Sequence, residues 1–368
     1  MLFKQIRTPA AWLVFVLLCG IAALTDVTAQ PSGARGDDFI YRVVSGDTLG
    51  DISSRFTGTP GNWSTLQTLN AVADPFALPI GKELRIPFAL IPVVPANAEM
   101  THIIGEALVN KQPARLSDTL SEGDMLETRE HSFATFRLPD GSISALPPQT
   151  ALRIERLRTF MGTGLVDTIL KLDDGELEST VAPGGQGTGR YEVHTPVSIT
   201  GVRGTRLRVR ADSNGARTEV LSGVIQLGAT QADGPQLGAL QGTVVAPDGT
   251  ILPSRPLLSA PTLAPDPDQP HSRAIMFEPV PGAVAYLVRV AADASGTQPV
   301  WTDTITGPPL HYQTPGSGSW YVLVRAIDDI GLMGDDASVE VEGRRVLVSG
   351  FGLNVSTHSG EPVLLTDY

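Results

Sequence analysis

Apolar and polar side chains alternate through residues 194–229, HTPVSITGVRGTRLRVRADSNGARTEVLSGVIQLGA, and this limits the fold more tightly than any other feature. A period of two places successive side chains on opposite faces of a strand. Asn214-Gly215 has the composition of a hairpin tip, and Gly201 and Gly204 bracket a sharp corner between two strands. One predicted face carries Val197, Ile199, Leu207 and Val209, and the other carries Ser198, Arg206, Arg208 and Arg210.

The same pattern recurs upstream, where Asp140-Gly141 and Asp174-Gly175 mark polar turns between short runs. The chain of 368 residues has 38 glycines and 29 prolines, and long helical periodicities are scarce. Together these features predict a mainly β, multidomain protein. We expect residues 100–228 to form an all-β domain of successive short antiparallel strands.

The arginines on one face of the predicted strand allow two interpretations. They form a solvated face paired with neighbouring glutamates, or they contact the acidic groups of lipid A or the carboxylates of peptidoglycan. The glutamates in question are Glu176, Glu178 and Glu192.

A strand changes abruptly into a helix within residues 41–56, YRVVSGDTLGDISSRF. Gly46 permits the turn and Asp47 is placed to cap the helix, on which Leu49, Ile52 and Phe56 share one face. Asn62 is placed to cap a second helix, with Trp63, Leu66 and Leu69 inward and Asn70 at its end. A final strand at residues 83–87 completes a strand–helix–helix–strand unit over residues 38–87.

This unit resembles the LysM domain, whose residues occur here in the family's order. They are Tyr41, Val43, Gly46, Asp47, Thr48, Leu49, Ile52, Trp63, Leu66, Asn70, Leu78, Gly81, Leu84, Ile86 and Pro87. The resemblance implies binding of peptidoglycan or another N-acetylglucosamine polymer in a shallow groove between two loops. The implied glycan-binding residues are Gly46, Asp47, Thr48 and Leu49 on one wall, and Ala77, Leu78, Pro79 and Ile80 on the other.

The second unit resembles the FecR-type domain, the periplasmic part of iron-dicitrate sensor proteins. The similarity rests on Gly123-Asp124, Thr128, Ala134, Asp140-Gly141-Ser142, residues 195–205 (TPVSITGVRGT), Val220 and Gly223. It implies the fold and a role in protein interaction. Arg203, in the most specific part of the pattern, is either a structural arginine at the corner or a contact for a partner.

The third unit, residues 272–343, has alternating runs around Tyr286-Val288-Val290 and Trp320-Val322-Val324. It resembles a fibronectin type III-like β-sandwich. Two segments predict linkers: residues 88–99, and the proline-rich stretch of residues 229–271, which holds seven prolines between residues 246 and 270. Residues 344–368 form a tail of uncertain structure.

The amino end predicts a signal peptide over residues 1–29. Lys4 and Arg7 precede an apolar run, and Val27-Thr28-Ala29 has the small residues of a cleavage site. A retained anchor and a lipoprotein modified at Cys19 are alternatives. Cys19 is the one cysteine of the chain, so the mature protein would have no disulfide. We expect export to the periplasm or cell envelope.

Charge and composition exclude several functions. After cleavage 25 basic and 38 acidic residues remain, a net charge of −13, which does not favour nucleic acid or an anionic membrane. No later segment is long and apolar enough to span a bilayer. The six histidines lack metal-site spacing, and no Gly-x-Ser-x-Gly motif occurs. We therefore expect no enzyme, no cofactor and no metal.

The sequence thus predicts a non-catalytic envelope protein that binds peptidoglycan and presents its β domains to a protein partner. One alternative is a FecR-like regulator that senses an outer-membrane transporter. Another is a cell-wall hydrolase.

Overall fold

The structure, a computed structural model, describes residues 33–183, 187–229, 232–265, 274–343, 345–346 and 364–365. The predicted signal peptide and most of the tail lie outside these residues. Within them the protein is mainly β, with two short α-helices near its amino end. The predicted fold class is confirmed, because a small helix-containing unit precedes a large β unit and further β-sheets.

The first unit has the predicted order of strand, helix, helix and strand. The two strands pair antiparallel with Tyr41 opposite Leu84, and a short extra strand pairs with the first of them. Leu49, Ile52 and Phe56 are buried on one face of the first helix, as predicted. The elements are β1 (Ala34–Arg35), β2 (Asp38–Arg42), α1 (Leu49–Thr57), a 3-10 turn (Pro60–Asn62), α2 (Trp63–Leu69) and β3 (Glu83–Pro87).

The second helix is less buried than its sequence predicts. Leu66 is fully buried, but Trp63 and Leu69 are 39% and 37% exposed. α2 has only seven residues, so a narrow part of its surface reaches the core. Asn62 precedes α2 without capping it, because its backbone is already helical, with a φ of −69°, and a cap needs an extended backbone. Its amide donates to Thr57 Oγ1 at 3.1 Å.

The second unit is dominated by one sheet of sixteen strands between residues 93 and 256. Its two longest hairpins are β12–β13 and β15–β16, and β14 runs parallel to β13 but antiparallel to β15. The strands are β4 (Val93–Pro95), β5 (Ala98–Ile104), β6 (Ala107–Val109), β7 (Gln112–Pro113), β8 (Thr119–Leu120), β9 (Met125–Thr128), β10 (Phe133–Arg137), β11 (Ile143–Leu146), β12 (Ala151–Phe160), β13 (Leu165–Thr180), β14 (Thr188–His194), β15 (Ser198–Asp212), β16 (Gly215–Ala229), β17 (Ala232–Gly238), β18 (Gln241–Val245) and β19 (Arg255–Pro256).

Two of the predicted turns are confirmed. Ser142 N donates to Asp140 Oδ1 at 2.9 Å in the turn between β10 and β11. The hairpin between β15 and β16 is tight, with Asp212 opposite Gly215. Its tip is Ser213-Asn214, one residue earlier than expected.

Other glycines predicted as turns or corners lie inside long strands. Gly175 is within β13 at a φ of +96°, and Gly204 is within β15 at +58°. A β-carbon on Gly175 would lie 2.6 Å from Thr150 Cα. These glycines bend continuous strands where the pairing register shifts or strands approach closely, so the expectation of successive short strands is wrong here.

The predicted division of β15 into faces holds for only half of the strand. Leu207 and Val209 are buried as expected, but Ile199 is 37% exposed while Ser198 and Thr200 are fully buried. The register shifts between Arg203 and Arg206 explain the reversal. A β-bulge inserts an extra residue, and every side chain beyond it then changes face. The Arg203 side chain lies outside the described part of the structure.

Parts of the segments predicted as linkers are paired into sheets. β4, within residues 88–99, pairs with β12, and β17 and β18 extend the large sheet past the predicted boundary at residue 228. β19 then pairs with β18 through Pro256. A proline is tolerated at such an edge position because no neighbouring strand needs its missing N–H. Residues 230–231 and 266–271 of the predicted linker lie outside the described residues.

The third unit contains two small sheets around one core. Tyr286, Val288 and Val290 are buried as predicted, and so are Val322 and Val324. The strands are β20 (Leu263–Pro265), β21 (Ala274–Phe277), β22 (Ala285–Ala291), β23 (Pro299–Ile305), β24 (Leu310–His311), β25 (Gly318–Ile327) and β26 (Ala337–Gly343). In the tail, β27 (Arg345–Val346) pairs with β28 (Leu364–Leu365).

The third unit packs against the arginine face of β15. Arg206 Nη2 lies 3.1 Å from Asp336 Oδ2, and Arg208 Nη2 donates to the Gly334 carbonyl at 2.6 Å. Arg210 pairs with Glu176 at 3.2 Å, as one interpretation predicted. The expectation of a solvated face is wrong for Arg208, which is 1% exposed.

Buried carboxylates complete this contact. Glu178 Oε1 on β13 lies 2.8 Å from Nη1 of both Arg289 and Arg325, and Arg325 Nε lies 2.8 Å from Asp336 Oδ1. Burial acts to raise the pKa of Glu178, but Arg289 and Arg325 outweigh it and hold that pKa well below its usual range. Burial also acts to raise the pKa of Asp336. The positive charge of Arg325 outweighs this effect and lowers that pKa to about 2. Charged side chains therefore join the second and third units.

Candidate functional site

Two loops of the first unit lie side by side, as the resemblance to the LysM domain implies. One connects β2 to α1 and the other connects α2 to β3. Leu49 N donates to the Pro75 carbonyl at 3.0 Å, Gly81 N to Val43 O at 2.8 Å, and Val43 N to Lys82 O at 2.9 Å. Because these bonds join backbone to backbone, the relative position of the loops is set by the fold.

Asp47 organises the first loop from within. Its Oδ2 accepts from the Tyr41 hydroxyl at 2.7 Å and from Val44 N at 2.8 Å, and its Oδ1 lies 3.4 Å from Arg55 Nη2. Burial and the hydrogen bond to Asp47 raise the pKa of Tyr41. Asp47 is 8% exposed, so its carboxylate shapes the loop and does not form its outer surface.

The helix cap is Thr48 and not Asp47, which corrects the prediction. Thr48 Oγ1 accepts from Asp51 N at 3.1 Å and donates to Asp51 Oδ2 at 2.7 Å. Asp47 is one position too early for this role, because a cap side chain bonds the backbone N–H two or three residues ahead. Leu49 is fully buried, so of the four residues predicted on this wall Gly46 is exposed and Thr48 half-buried.

The second loop is anchored at its start by Asn70. The Asn70 amide donates to Leu66 O and to Arg85 O, both at 2.9 Å, and its Oδ1 accepts from Arg85 N at 2.7 Å. This side chain therefore ties the end of α2 to β3. Of the predicted residues in the loop, Ala77, Pro79 and Ile80 are exposed, and Leu78 is half-buried against the core.

Phe76 is a candidate site residue that the sequence analysis missed. It is 81% exposed, and Ile80 in the same loop is 73% exposed. Phe76 N donates to Asp74 Oδ1 at 2.8 Å, so the turn that carries the ring is held locally. The available signal was an aromatic residue directly after Asp74-Pro75, a turn sequence in which a core side chain is not expected.

The site offers exposed apolar side chains beside open backbone. A β-carbon built on Gly46 or on Gly81 meets no atom within 4 Å, so both glycines leave the adjacent backbone accessible. Apolar and aromatic surface with a few polar groups is the usual composition of a ligand site. Such a surface suits the carbon face of a sugar, and backbone N–H and C=O groups suit an acetamido group.

Metal binding has no support in the described part of the chain. No group of three or more histidine, cysteine, aspartate or glutamate side chains is arranged there to hold a metal ion. His194 lies between Glu192 at 2.8 Å and Glu155 at 3.4 Å, which is too few ligands for a structural metal centre.

Comparison with known families identifies two of the units. Residues 41–87 match the LysM domain and residues 124–226 match the FecR protein family. The chain therefore contains a LysM domain, which is a peptidoglycan-binding type of domain, and a FecR domain. Both families are typically non-catalytic. The C-terminal sheets are unassigned, so the predicted fibronectin type III-like identity stays a prediction.

Two crystal structures of a protein from Parabacteroides distasonis ATCC 8503, provisionally described as an anti-sigma factor, are similar to part of the chain. They are 17% and 18% identical to it, with a TM-score of 0.30 in each case. The match covers 36% of this chain and 59% of theirs, so it spans less than two thirds of their length. Among curated proteins none matches.

None of the helices within the described ranges combines the length and the apolar character needed to cross a membrane.

Proposed function

We propose that this chain is an exported, non-catalytic envelope protein that holds peptidoglycan, or another N-acetylglucosamine polymer, in the groove between its two LysM loops. The observation that carries the proposal is the pair of exposed side chains Phe76 and Ile80, whose loop is hydrogen-bonded to Val43 and Leu49 on either side of the Gly46–Thr48 turn of a LysM domain. The FecR domain and the C-terminal sheets then present surfaces to an envelope protein partner.

We propose separate roles for the predicted residues, on the basis of their burial and hydrogen bonds. Gly46, Thr48, Ala77, Leu78, Pro79 and Ile80 remain candidates for glycan contact, and Phe76 is added to them. Asp47 and Leu49 support the groove from below, through the Tyr41 hydrogen bond and the hydrophobic core. The contact surface is small, so tight retention on a polymer would come from many chains or repeated sites.

Glycan titration tests the groove directly. In the chain from residue 30 onward, Phe76→Ala with Ile80→Ala should weaken binding of an N-acetylglucosamine hexamer about tenfold, which is a loss of about 1.4 kcal/mol. Leu116→Ala with Val284→Ala is the matched control, because both side chains are large, apolar and exposed outside the LysM domain. Equal affinity in the two double variants would refute the groove.

Retention on purified peptidoglycan sacculi tests the biological ligand. The parent chain should sediment with sacculi, and the Phe76→Ala, Ile80→Ala variant should remain largely in the supernatant. If the variant still sediments fully while the hexamer no longer binds, the protein attaches to sacculi through another surface.

A FecR-like regulator is a second candidate, favoured by the FecR match over residues 124–226. Signalling of that kind requires a segment of the chain that crosses the membrane ahead of the domain. Sequencing the amino end of the protein recovered from cells distinguishes the two. A start at Gln30 supports the exported protein, and an intact Met1 supports the regulator.

A further inference from the structure

The apolar core of the LysM domain includes side chains of the FecR-type unit. Phe160 and Leu165 are 3% and 1% exposed and belong to the same buried cluster as Phe39, Phe56 and Ile86. They occupy the last position of β12 and the first position of β13. The tip of the β12–β13 hairpin is therefore part of the LysM core.

Ring stacking and backbone pairing fix this tip. Phe88, just after β3, stacks on Phe160 with ring centroids 4.2 Å apart and planes inclined by 18°. Met161 N donates to Pro92 O at 2.8 Å, and Phe160 is paired with Val93 in the β12–β4 ladder. The segment that leaves the LysM domain is thus bound to the hairpin that completes its core.

The hairpin also lies against the end of α1. A β-carbon on Gly162 would be 3.4 Å from the Arg55 carbonyl and 3.6 Å from Phe56 Cδ1. Arg55 in turn donates to the Tyr41 hydroxyl at 3.1 Å and pairs with Asp47, which shapes the first loop of the groove. A continuous set of contacts therefore runs from the hairpin through α1 to the candidate site.

Small domains depend strongly on such additions. A unit of about fifty residues buries a smaller fraction of its surface than a larger domain does, so each core side chain contributes a large share of its stability. When two units share a core, unfolding one of them also destabilises the other. A ligand that binds only the folded state then stabilises every part that unfolds with its site.

We propose that the LysM domain and the β12–β13 hairpin form one cooperative unit, coupled through Phe160 and Leu165, so that glycan in the groove also stabilises the hairpin. The effect of glycan in this proposal rests on the proposed function, and the coupling itself rests on the shared core. Because β13 continues to Glu176 and Glu178, which lie 3.9 and 2.8 Å from Arg325 Nη1, the strand that completes the LysM core also holds the third unit.

Hydrogen exchange in the chain from residue 30 onward tests the coupling. Saturating N-acetylglucosamine hexamer should slow exchange at least fivefold in both the LysM loops and residues 156–170. Phe160→Ala should confine the slowing to the loops, and Phe160→Leu should restore part of it in the hairpin. Leu207→Ala, a core change outside the shared cluster, should leave the response of the hairpin unchanged.

Calorimetry without glycan keeps the two proposals distinguishable. The LysM domain and the hairpin should unfold in one transition, and Phe160→Ala or Phe88→Ala should separate a LysM transition at lower temperature. Slowing confined to the loops of the parent chain would overturn the coupling and leave glycan binding intact. If the parent chain binds no hexamer but unfolds in one transition, and Phe160→Ala divides that transition into two, the glycan groove is refuted and the coupling stands. Two transitions in the parent chain would overturn the coupling outright.

Discussion

Arg208 and Glu219 face each other beneath the third unit, with Arg208 Nε 3.2 Å from Glu219 Oε2 and exposures of only 1% and 3%. They are directly opposite on β15 and β16. Each also binds the loop before β26, since Arg208 donates to Gly334 O at 2.6 Å and Met333 N donates to Glu219 Oε1 at 2.7 Å. Burial raises the pKa of Glu219 and lowers the pKa of Arg208, so each charge depends on the other.

Removing both charges of this pair should cost less than the sum of the two single removals. We expect Arg208→Met to lower the free energy of unfolding by about 3–5 kcal/mol, because it leaves a buried carboxylate unpaired. Arg208→Met with Glu219→Gln should cost clearly less than the two single changes together, since glutamine still accepts from Met333 N. Urea unfolding of the four proteins measures the difference. Additive single and double changes would show that the two charges do not interact.

Acid should weaken the contact between the second and third units. The pKa of Asp336 is lowered to about 2, and that of Glu178 is also lowered. Carboxylates with a lowered pKa stabilise the folded state above their unfolded pKa of about 4 and lose that effect as the pH falls toward the folded value. The stabilisation contributed by Glu178 and Asp336 should thus be nearly constant between pH 5 and 7 and fall from about pH 4 to 2. Asp336→Asn should make this acid dependence shallower, and an unchanged slope would contradict the assignment.

Asp47 should affect glycan binding through the shape of its loop. Asp47→Ala leaves the Tyr41 hydroxyl and Val44 N without their acceptor, which we expect to cost about 1–3 kcal/mol. Tyr41→Phe removes only one of these bonds and should cost about 1 kcal/mol. Thermal unfolding and hexamer titration of both variants test the ranking. If Tyr41→Phe weakens binding more than Asp47→Ala does, the carboxylate is not the group that holds the loop.

Gly46 should resist substitution for conformational reasons alone. It has a φ of +89°, and its surroundings are open, so Gly46→Ala should cost about 1–2 kcal/mol without a steric clash. Gly61 is the matched control, because it is also surrounded by open space but does not adopt a positive φ. Gly61→Ala should be nearly neutral. Equal melting temperatures for the two variants would show that the backbone at Gly46 relaxes freely.

Local patterns predicted much of the first unit. The spacing of Leu49, Ile52 and Phe56 identifies the buried face of α1, because a helix repeats every 3.6 residues whatever surrounds it. The same reasoning fails for α2, where Trp63 and Leu69 are apolar yet exposed. Phe76 was missed because a pattern of strands and helices does not say which loop side chains face solvent.

Long-range contacts account for the remaining differences. The bulge near Arg206 reverses the faces of β15, and its position depends on how β15 pairs with β16. The proline-rich segment was predicted as a spacer, yet its short strands find partners in the sheet. Such pairings depend on which strands meet in the folded sheet, and no local pattern encodes them.

The amino-acid sequence alone determined the mainly β class and the strand–helix–helix–strand order around Tyr41, because turns and side-chain periodicity act between close neighbours. The two loops of the candidate groove were implied by the resemblance of that sequence to the LysM domain. Only the tertiary structure decided that Phe160 completes the LysM core and that Arg208 is buried beneath the third unit. Burial and charge pairing depend on which surfaces meet in space, and residues more than a hundred positions apart supply those surfaces here.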